Sequence, residues 1–351
     1  MDTVKIKKES KRKIRVDFER APLLERLKSK YLSMYFLKRV VFLIFKLVLL
    51  IGVSYVILFP YITKIFGSFM TADDFKDVTV ILLSKSPTLD QYKYIITENG
   101  YWSAFITTFL TSLSVALIQT IICALIGYGL AKFKFKGNSV VFFLVIFTMM
   151  VPQEAIRYSM LMHFKLFTTE SPIGGFLEWI GVLEEGSGFE RSLAPLYMLV
   201  MTGLGFKNGL YIFLFRQFFK GVPDELEESA YVDGSSTMRT FFTIIIPLAI
   251  PMMVTVFIFS FAWQWTDDFF TTEILFDDGY WNVREGHEPL RFMSSIVKVP
   301  ETLGKQPGNL EAYRSAVMGT ATILIALPLI LAYLFVQKYI VQGIERSGIV
   351  G

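Results

Sequence analysis

GVPDELEESAYVDGSSTMRTFFTIIIPLAIP, residues 221–251, is the most polar-patterned run in the second half of a very apolar chain, and long hydrophobic segments flank it on both sides. Its spacing predicts a short helix, a sharp turn and the start of another helix. Pro223 suits a first helical position, where its missing N–H costs no hydrogen bond. Asp224, Glu225, Glu227 and Glu228 place negative charge in the first turns, which favours the positive end of the helix dipole. Asp233-Gly234 stops the helix, since glycine adopts the left-handed conformation without steric cost. Ser235, Ser236 or Thr237 can cap the next helix. Pro247 and Pro251 are expected to break that helix where it enters the membrane. The acidic and small residues of the knuckle have no obvious partner elsewhere in the chain.

Composition fixes the class. Of 351 residues, 53% are hydrophobic, and mean hydropathy is +0.49. Several apolar runs reach the ~20 residues a helix needs to cross a bilayer. The fold class is therefore all-α, a polytopic membrane protein with about six transmembrane helices. The spans are expected at about 40–66, 103–131, 139–163, 193–219, 242–266 and 314–336, behind a basic N-terminal segment, residues 1–39. That segment holds thirteen Lys or Arg against five acids. By the positive-inside rule it stays in the cytoplasm, where it can grip anionic lipid. A basic tail abutting a span is a topology signal, so nucleic acid is not expected as a partner. The segment is too long for a cleaved signal peptide and has no small-residue cleavage site.

EESAYVDG followed by IPLAIP resembles the EAA loop of ABC importer permeases, matching at Glu228, Ser229, Ala230, Asp233 and Gly234, with Ser229 in place of the usual first Ala. GYGLAKFKFKGN, residues 127–138, is similar to the stretch after the second span in the same families, with Gly127 for an Ala and Lys136 for a Pro. TLDQYKYIIT, residues 88–97, resembles the stretch that precedes that span in sugar importer permeases. FAWQWTDDFF, residues 261–270, resembles their W-N-D-F signature at Trp265 and Asp267, with Thr266 for the Asn. VQKYIVQGIERSGIVG, residues 336–351, resembles the carboxyl end of the maltose-type second permease. The resemblance covers residues 89–351.

It implies a type I ABC importer permease fold, in a bacterial inner-membrane subunit that binds no cofactor itself. ATP and Mg would sit on two cytoplasmic ABC ATPase subunits. The other implied partners are a second permease subunit (a heterodimer), an extracytoplasmic solute-binding protein, membrane lipid and a carbohydrate substrate. The loop 221–240 would be a coupling helix, with Glu227, Glu228, Ser229, Ala230, Asp233 and Gly234 docking on the ATPase. The alternatives are an ABC importer permease for a non-sugar solute and an ion-coupled secondary transporter. No inverted internal repeat of the kind common in secondary transporters is visible.

With the amino terminus inside, six spans return the carboxyl terminus inside. Lys132, Lys134 and Lys136 then form a basic cytoplasmic loop on the same side as the coupling helix. Candidate translocation-path residues are Gln153, Glu154, Asn208, Trp265 and Asp267. Gln153 and Glu154 follow Pro152, which breaks the third span, and Glu154 can instead pair with Arg157 at i, i+3. Gly203, Gly205, Lys207, Asn208 and Gly209 interrupt the fourth span, and broken helices are tolerated in a membrane where they line a cavity or where neighbours satisfy the backbone. Trp263 and Trp265 also fit an interfacial aromatic belt. Residues 164–192 and 271–313 are expected outside, and both are longer than the equivalent connections of the family. A small surface helix is expected at Trp179-Ile180. Cys123 lies in an apolar run and reads as a buried small hydrophobe. His163 and His287 lack metal-ligand spacing. The chain has no GxxxxGK[ST] run and no Ser/His/Asp or Cys/His set, so neither ATP hydrolysis nor other catalysis is expected of it.

Overall fold

In a computed structural model of the chain, the described residues are 34–152, 155, 156, 158–160, 162, 175, 179, 193–267, 269, 292–296 and 310–348. The regular structure among them is helical: α1 (Met34–Gly67), α2 (Asp90–Thr97), α3 (Tyr101–Lys132), α4 (Asn138–Met150), α5 (Ala194–Met201), α6 (Asn208–Lys220), α7 (Glu225–Val232), α8 (Thr237–Trp265), α9 (Met293–Ile296) and α10 (Leu310–Gly348). Four are long and apolar enough to cross a membrane: α1, α3, α8 and α10. Most of the basic segment 1–39 and of the insertions 164–192 and 271–313 lies outside the described residues, as do Gln153, Glu154, Arg157, Ile180, His163 and His287.

The chain divides into two units, residues 1–62 and 63–351. In the first, α1 is apolar all round, and its membrane-length window (mean hydropathy 2.7) has no buried residue. A helix of that kind has to be covered by lipid or by another protein. In the second unit, α3 is the central helix. It packs along α6 and α8, α8 packs on α10, and α4 packs on α6. α3 and α6 approach closely at Gly127, where a Cβ would lie 2.5 Å from the Phe215 Cβ on α6. Helices in lipid associate through such contacts rather than through burial from water.

Proline acts differently at each site. The helix expected over 139–163 stops at Met150, because the residue before Pro152 is pushed out of the helical region. Val151 has φ −72°, ψ 117°. The fourth span is interrupted where the glycines stand, between Met201 and Asn208, and Lys207 there holds φ +65°. The breaks expected at Pro247 and Pro251 do not occur, and α10 likewise runs on through Pro328. Ahead of Pro247, α8 widens into a π-turn, Phe241–Ile245, in which the Ile246 N–H bonds the carbonyl of Phe241. A wider turn accommodates a ring that would clash four residues back. In α10, Pro328 leaves the Leu324 carbonyl without its helical donor. Tyr101 Oη donates to that oxygen at 3.5 Å, and Trp265 Nε1 donates to the next carbonyl, Ile325, at 3.0 Å.

The end of the second unit that carries α2 is closed by neutral groups. Gln91 Nε2 donates to the carbonyls of Gly67 and Met70, and Gln91 Oε1 accepts from Thr320 Oγ1. Asn99 Nδ2 donates to the carbonyl of Ile296. The preceding segment folds around Asp74, which accepts from Thr71 N–H (3.0 Å), Ser84 Oγ (2.6 Å) and Lys85 N–H (3.3 Å).

Candidate functional site

The polar knuckle folds into α7 and the turn that ends it. The helix begins at Glu225 rather than at Pro223; the Pro223 carbonyl accepts from the Leu226 N–H at 3.4 Å, and the Asp224 carbonyl accepts from Glu227 and Glu228 at 3.0 Å. It ends in a Schellman turn. The Gly234 N–H donates to the Tyr231 carbonyl (3.0 Å), and the Ser235 N–H donates to the Ala230 carbonyl (2.9 Å). Gly234 sits at φ +83°, the left-handed geometry that this turn requires and that only glycine adopts freely. Ser236 caps α8, its Oγ accepting from the Arg239 N–H at 3.4 Å.

α7 has two faces with different tasks. Glu227 (7% exposed) and Ala230 point inward. Glu227 Oε2 accepts from Tyr128 Oη at 3.0 Å and from Tyr231 Oη at 3.5 Å, and Glu227 Oε1 lies 3.5 Å from Lys132 Nζ. That last contact is an ion pair rather than a well-directed hydrogen bond. Lys132 Nζ also donates to Asp224 Oδ1 at 2.5 Å and to the Val222 carbonyl at 2.7 Å. One ammonium thus ties the last turn of α3 to both ends of the segment that leads into α7. The expectation that the knuckle's acids have no partner within the chain is wrong for Asp224 and Glu227, and Lys132 is a tie instead of a free loop cation. Its hydrogen bond and charge hold the Asp224 carboxyl below its ordinary value.

Glu228, Ser229 and Asp233 lie on the opposite, exposed face, with Val232 beside them at 87% exposure. A short helix is thereby fixed rigidly along one side and presents small and acidic groups on the other.

At the break between α5 and α6, Asn208 is fully buried. Its Oδ1 accepts from Gln119 Nε2 on α3, which also donates to the Phe206 carbonyl at 3.0 Å, and Gln119 Oε1 accepts from Ser260 Oγ on α8. Three helices meet in this chain of neutral groups. Asn208 Nδ2 and Gln264 Nε2 are buried and have no hydrogen-bond partner among the described residues. Gln264, Gln119, Ser260 and the half-buried Asp267 line one small cavity. On the other side of the break, a cavity of about 580 Å³ opens between the end of α4 and residues 203–210, with Thr148 and Lys207 among its few polar groups. Trp265 faces neither cavity. It is 2% exposed, stacks on Phe261 and meets Phe105 edge-on, so it is a packing residue and not an interfacial belt.

Sequence reading missed Gln119, Ser260, Gln264, Tyr128 and the role of Lys132. A long amide in mid-span, such as Gln119, is a signal that could have been followed, because buried polar groups in lipid are costly and seek partners. Among the described residues no group of His, Cys, Asp and Glu could hold a metal ion.

Fold and site together define a polytopic helical membrane protein built around a clamped polar helix. The family model described as "Binding-protein-dependent transport system inner membrane component" matches residues 123–346, and the chain belongs to this family. It is 27% identical over 297 residues to the polygalacturonan/rhamnogalacturonan transport system permease protein YtcP of Bacillus subtilis, covering 83% of this chain and 92% of that protein. It is likewise 27% identical over 303 residues to the maltodextrin transport system permease protein MalD of Streptococcus pneumoniae, covering 85% and 92%. Its fold is similar to that in the crystal structure of a bacterial ABC transporter involved in import of the acidic polysaccharide alginate. The TM-score is 0.60 at 21% identity, over 85% of this chain and 96% of that one.

Proposed function

We propose that the chain is one of two membrane subunits of an ATP-driven importer that takes carbohydrate, as oligosaccharide, from an extracytoplasmic binding protein and passes it inward by alternating access. The relatives named for polygalacturonan and maltodextrin transport support the substrate class. The observation that carries the mechanism is the two-faced α7. Glu227 and Asp224 fix it to Lys132 on α3, while Glu228, Ser229 and Asp233 stay exposed. A partner ATPase, holding ATP and Mg on its own residues, would seat that outer face. Small Ser229 lets the surfaces approach, and Glu228 supplies a charge-assisted hydrogen bond. Because the inner face is clamped, movement of the ATPase is passed to α3, and from α3 to the helices packed on it. In this orientation α7, the connector after α3 and both termini are cytoplasmic. Asn208, Gln264 and Asp267 would serve the path, where unpartnered amide donors suit a hydroxyl-rich solute or the water around it.

A cysteine introduced at Ser229 tests this directly, because the native Cys123 is fully buried. In inside-out vesicles Ser229→Cys should react with a membrane-impermeant maleimide and should cross-link to a co-purifying ATPase. ATP-dependent oligosaccharide uptake by the assembled complex is the second measurement. Labelling from the outer side only, or uptake that continues without any ATPase, would overturn the proposal.

A further inference from the structure

We propose that the junction of α3, α4 and α6 is a binding site for the phosphodiester headgroup of an anionic lipid. The connector between α3 and α4 (residues 133–137) and the last turn of α6 enclose an open cavity of about 520 Å³, lined by Lys134, Lys136, Arg216 and Lys220. Among the described residues no carboxylate lines it, and Lys134, Lys136 and Lys220 have no ion-pair partner; Asp224, which also feels the charge of Lys134, and Glu227 are held by Lys132. Unpaired like charges held together repel one another, and an anion relieves that repulsion.

The site is built and not merely charged. The Arg216 guanidinium stacks over the Phe142 ring at 3.5 Å from its centre, and Arg216 Nε donates to the Leu130 carbonyl at 3.3 Å. Asn138 Nδ2 donates to the carbonyls of Leu130 (3.2 Å) and Phe133 (2.9 Å). These bonds close the C-terminal end of α3 and fix the connector that carries Lys134 and Lys136. The first turn of α4 opens on the cavity at Asn138 and Ser139, adding the positive end of a helix dipole.

Location favours a lipid over a soluble anion. The membrane-length helix α3 and the shorter apolar helix α4 both end here, beside the basic end of α6, as they would at the depth of the headgroups. Phe133 and Phe135 alternate with the two lysines and are 49% and 47% exposed, so aromatic rings border the basic cavity as they do at a membrane interface. Basic pockets between transmembrane helices are favourable seats for anionic headgroups, each nearby Lys or Arg adding to the attraction. The inference rests on α3, α4 and α6 being membrane helices but not on the coupling role of α7.

The test uses the full chain in nonionic detergent, with native mass spectrometry reading the retention of phosphatidylglycerol against phosphatidylcholine of the same acyl chains. Wild type should prefer phosphatidylglycerol by about tenfold or more. The variant K134Q/K136Q/K220Q should bring the two lipids within about twofold of each other, while K134R/K136R/K220R should keep the preference and so shows that charge rather than misfolding is measured. Phe135→Ser should weaken phosphatidylglycerol retention, and excess inorganic phosphate should not displace the lipid. Equal retention of both lipids by wild type overturns the proposal, as does a preference that survives the glutamine variant. Displacement by inorganic phosphate overturns the lipid assignment in favour of a free-anion site.

Discussion

Two acid-centred knots stand in this chain, and they are built oppositely. Asp74 accepts only from its own neighbourhood, its farthest partner being Lys85, 11 residues on. Asp224 and Glu227 are held by Lys132, which reaches Asp224 across 92 residues of sequence. The first knot closes a loop and can form as soon as that loop does. The second fastens one helix to another. Asp74 is satisfied by hydroxyl and amide donors, which cost little to bury. Glu227 is a buried carboxylate beside a buried ammonium, a pairing that gives strength only while both partners remain. The local knot shapes a surface, whereas the distant one joins elements far apart in the chain, the joint that the proposed coupling would use.

Breaking the joint should have the largest effect. Glu227→Ala removes the acceptor of the buried Tyr128 hydroxyl and one of the two carboxylates around Lys132, whose side chain is only 8% exposed, and should cost about 3 kcal/mol in the thermal or denaturant unfolding of the purified chain. Replacing both partners, as Glu227→Gln with Lys132→Met, should cost less than the sum of the single changes. An additive double variant would mean that the pair is not coupled. The loop around Asp74 should keep wild-type resistance to proteolysis in every one of these variants.

The turn that ends α7 comes next. Gly234→Val forces a β-branched residue to φ +83° and should cost on the order of 2 kcal/mol. Nothing lies within 4 Å of the added Cβ, so the cost is backbone strain and the chain should still insert. If α7 is the joint, ATP-driven uptake falls while the amount of chain in the membrane does not. Uptake at the wild-type rate would separate the turn from coupling. Asp74→Ala is the matched change in the local knot. It should cost about 1 kcal/mol, appear as faster proteolytic nicking between residues 71 and 86, and leave labelling of Ser229→Cys unchanged.

The same contrast explains what could be read from the chain beforehand. α7, the stop at Gly234 and the cap at Ser236 depend on residues within a few positions of one another, and turn chemistry writes them locally. The membrane class followed from composition alone. Lys132 looked like a loop cation because its partners lie about ninety residues away, and no periodicity points to them. Trp265 looked like an interfacial or path residue because a uniformly apolar helix such as α8 does not reveal which side faces protein. The prolines misled for a related reason. Pro328 should end a helix in isolation, yet Tyr101 supplies a donor to the Leu324 carbonyl that the ring leaves unpaired, and Trp265 holds the next carbonyl. Gln119 was passed over because one amide among apolar residues has no motif, and its partners come from two other helices.

Acid gives the gentlest test. Asp224 has its carboxyl lowered from 3.8, first by the hydrogen bond from Lys132 and then by that residue's charge. Asp74 is lowered from the same value, first by the hydrogen bond from Ser84 and then by the amide of Thr71. A carboxyl depressed in the folded state contributes stability above its unfolded value and loses that contribution as pH falls through its folded value. Neither the Asp224 contact nor the Asp74 loop should therefore change between pH 7 and about pH 5 on this account, and both should loosen below about pH 4. Salt separates them. Asp224 is exposed, so its attraction to Lys132 is screened, whereas Asp74 is held by neutral donors that ions do not screen. Raising salt at pH 4 should increase proteolytic nicking between residues 221 and 236 and leave nicking between residues 71 and 86 unchanged. If both respond to salt alike, the two knots do not differ in the way their partners imply.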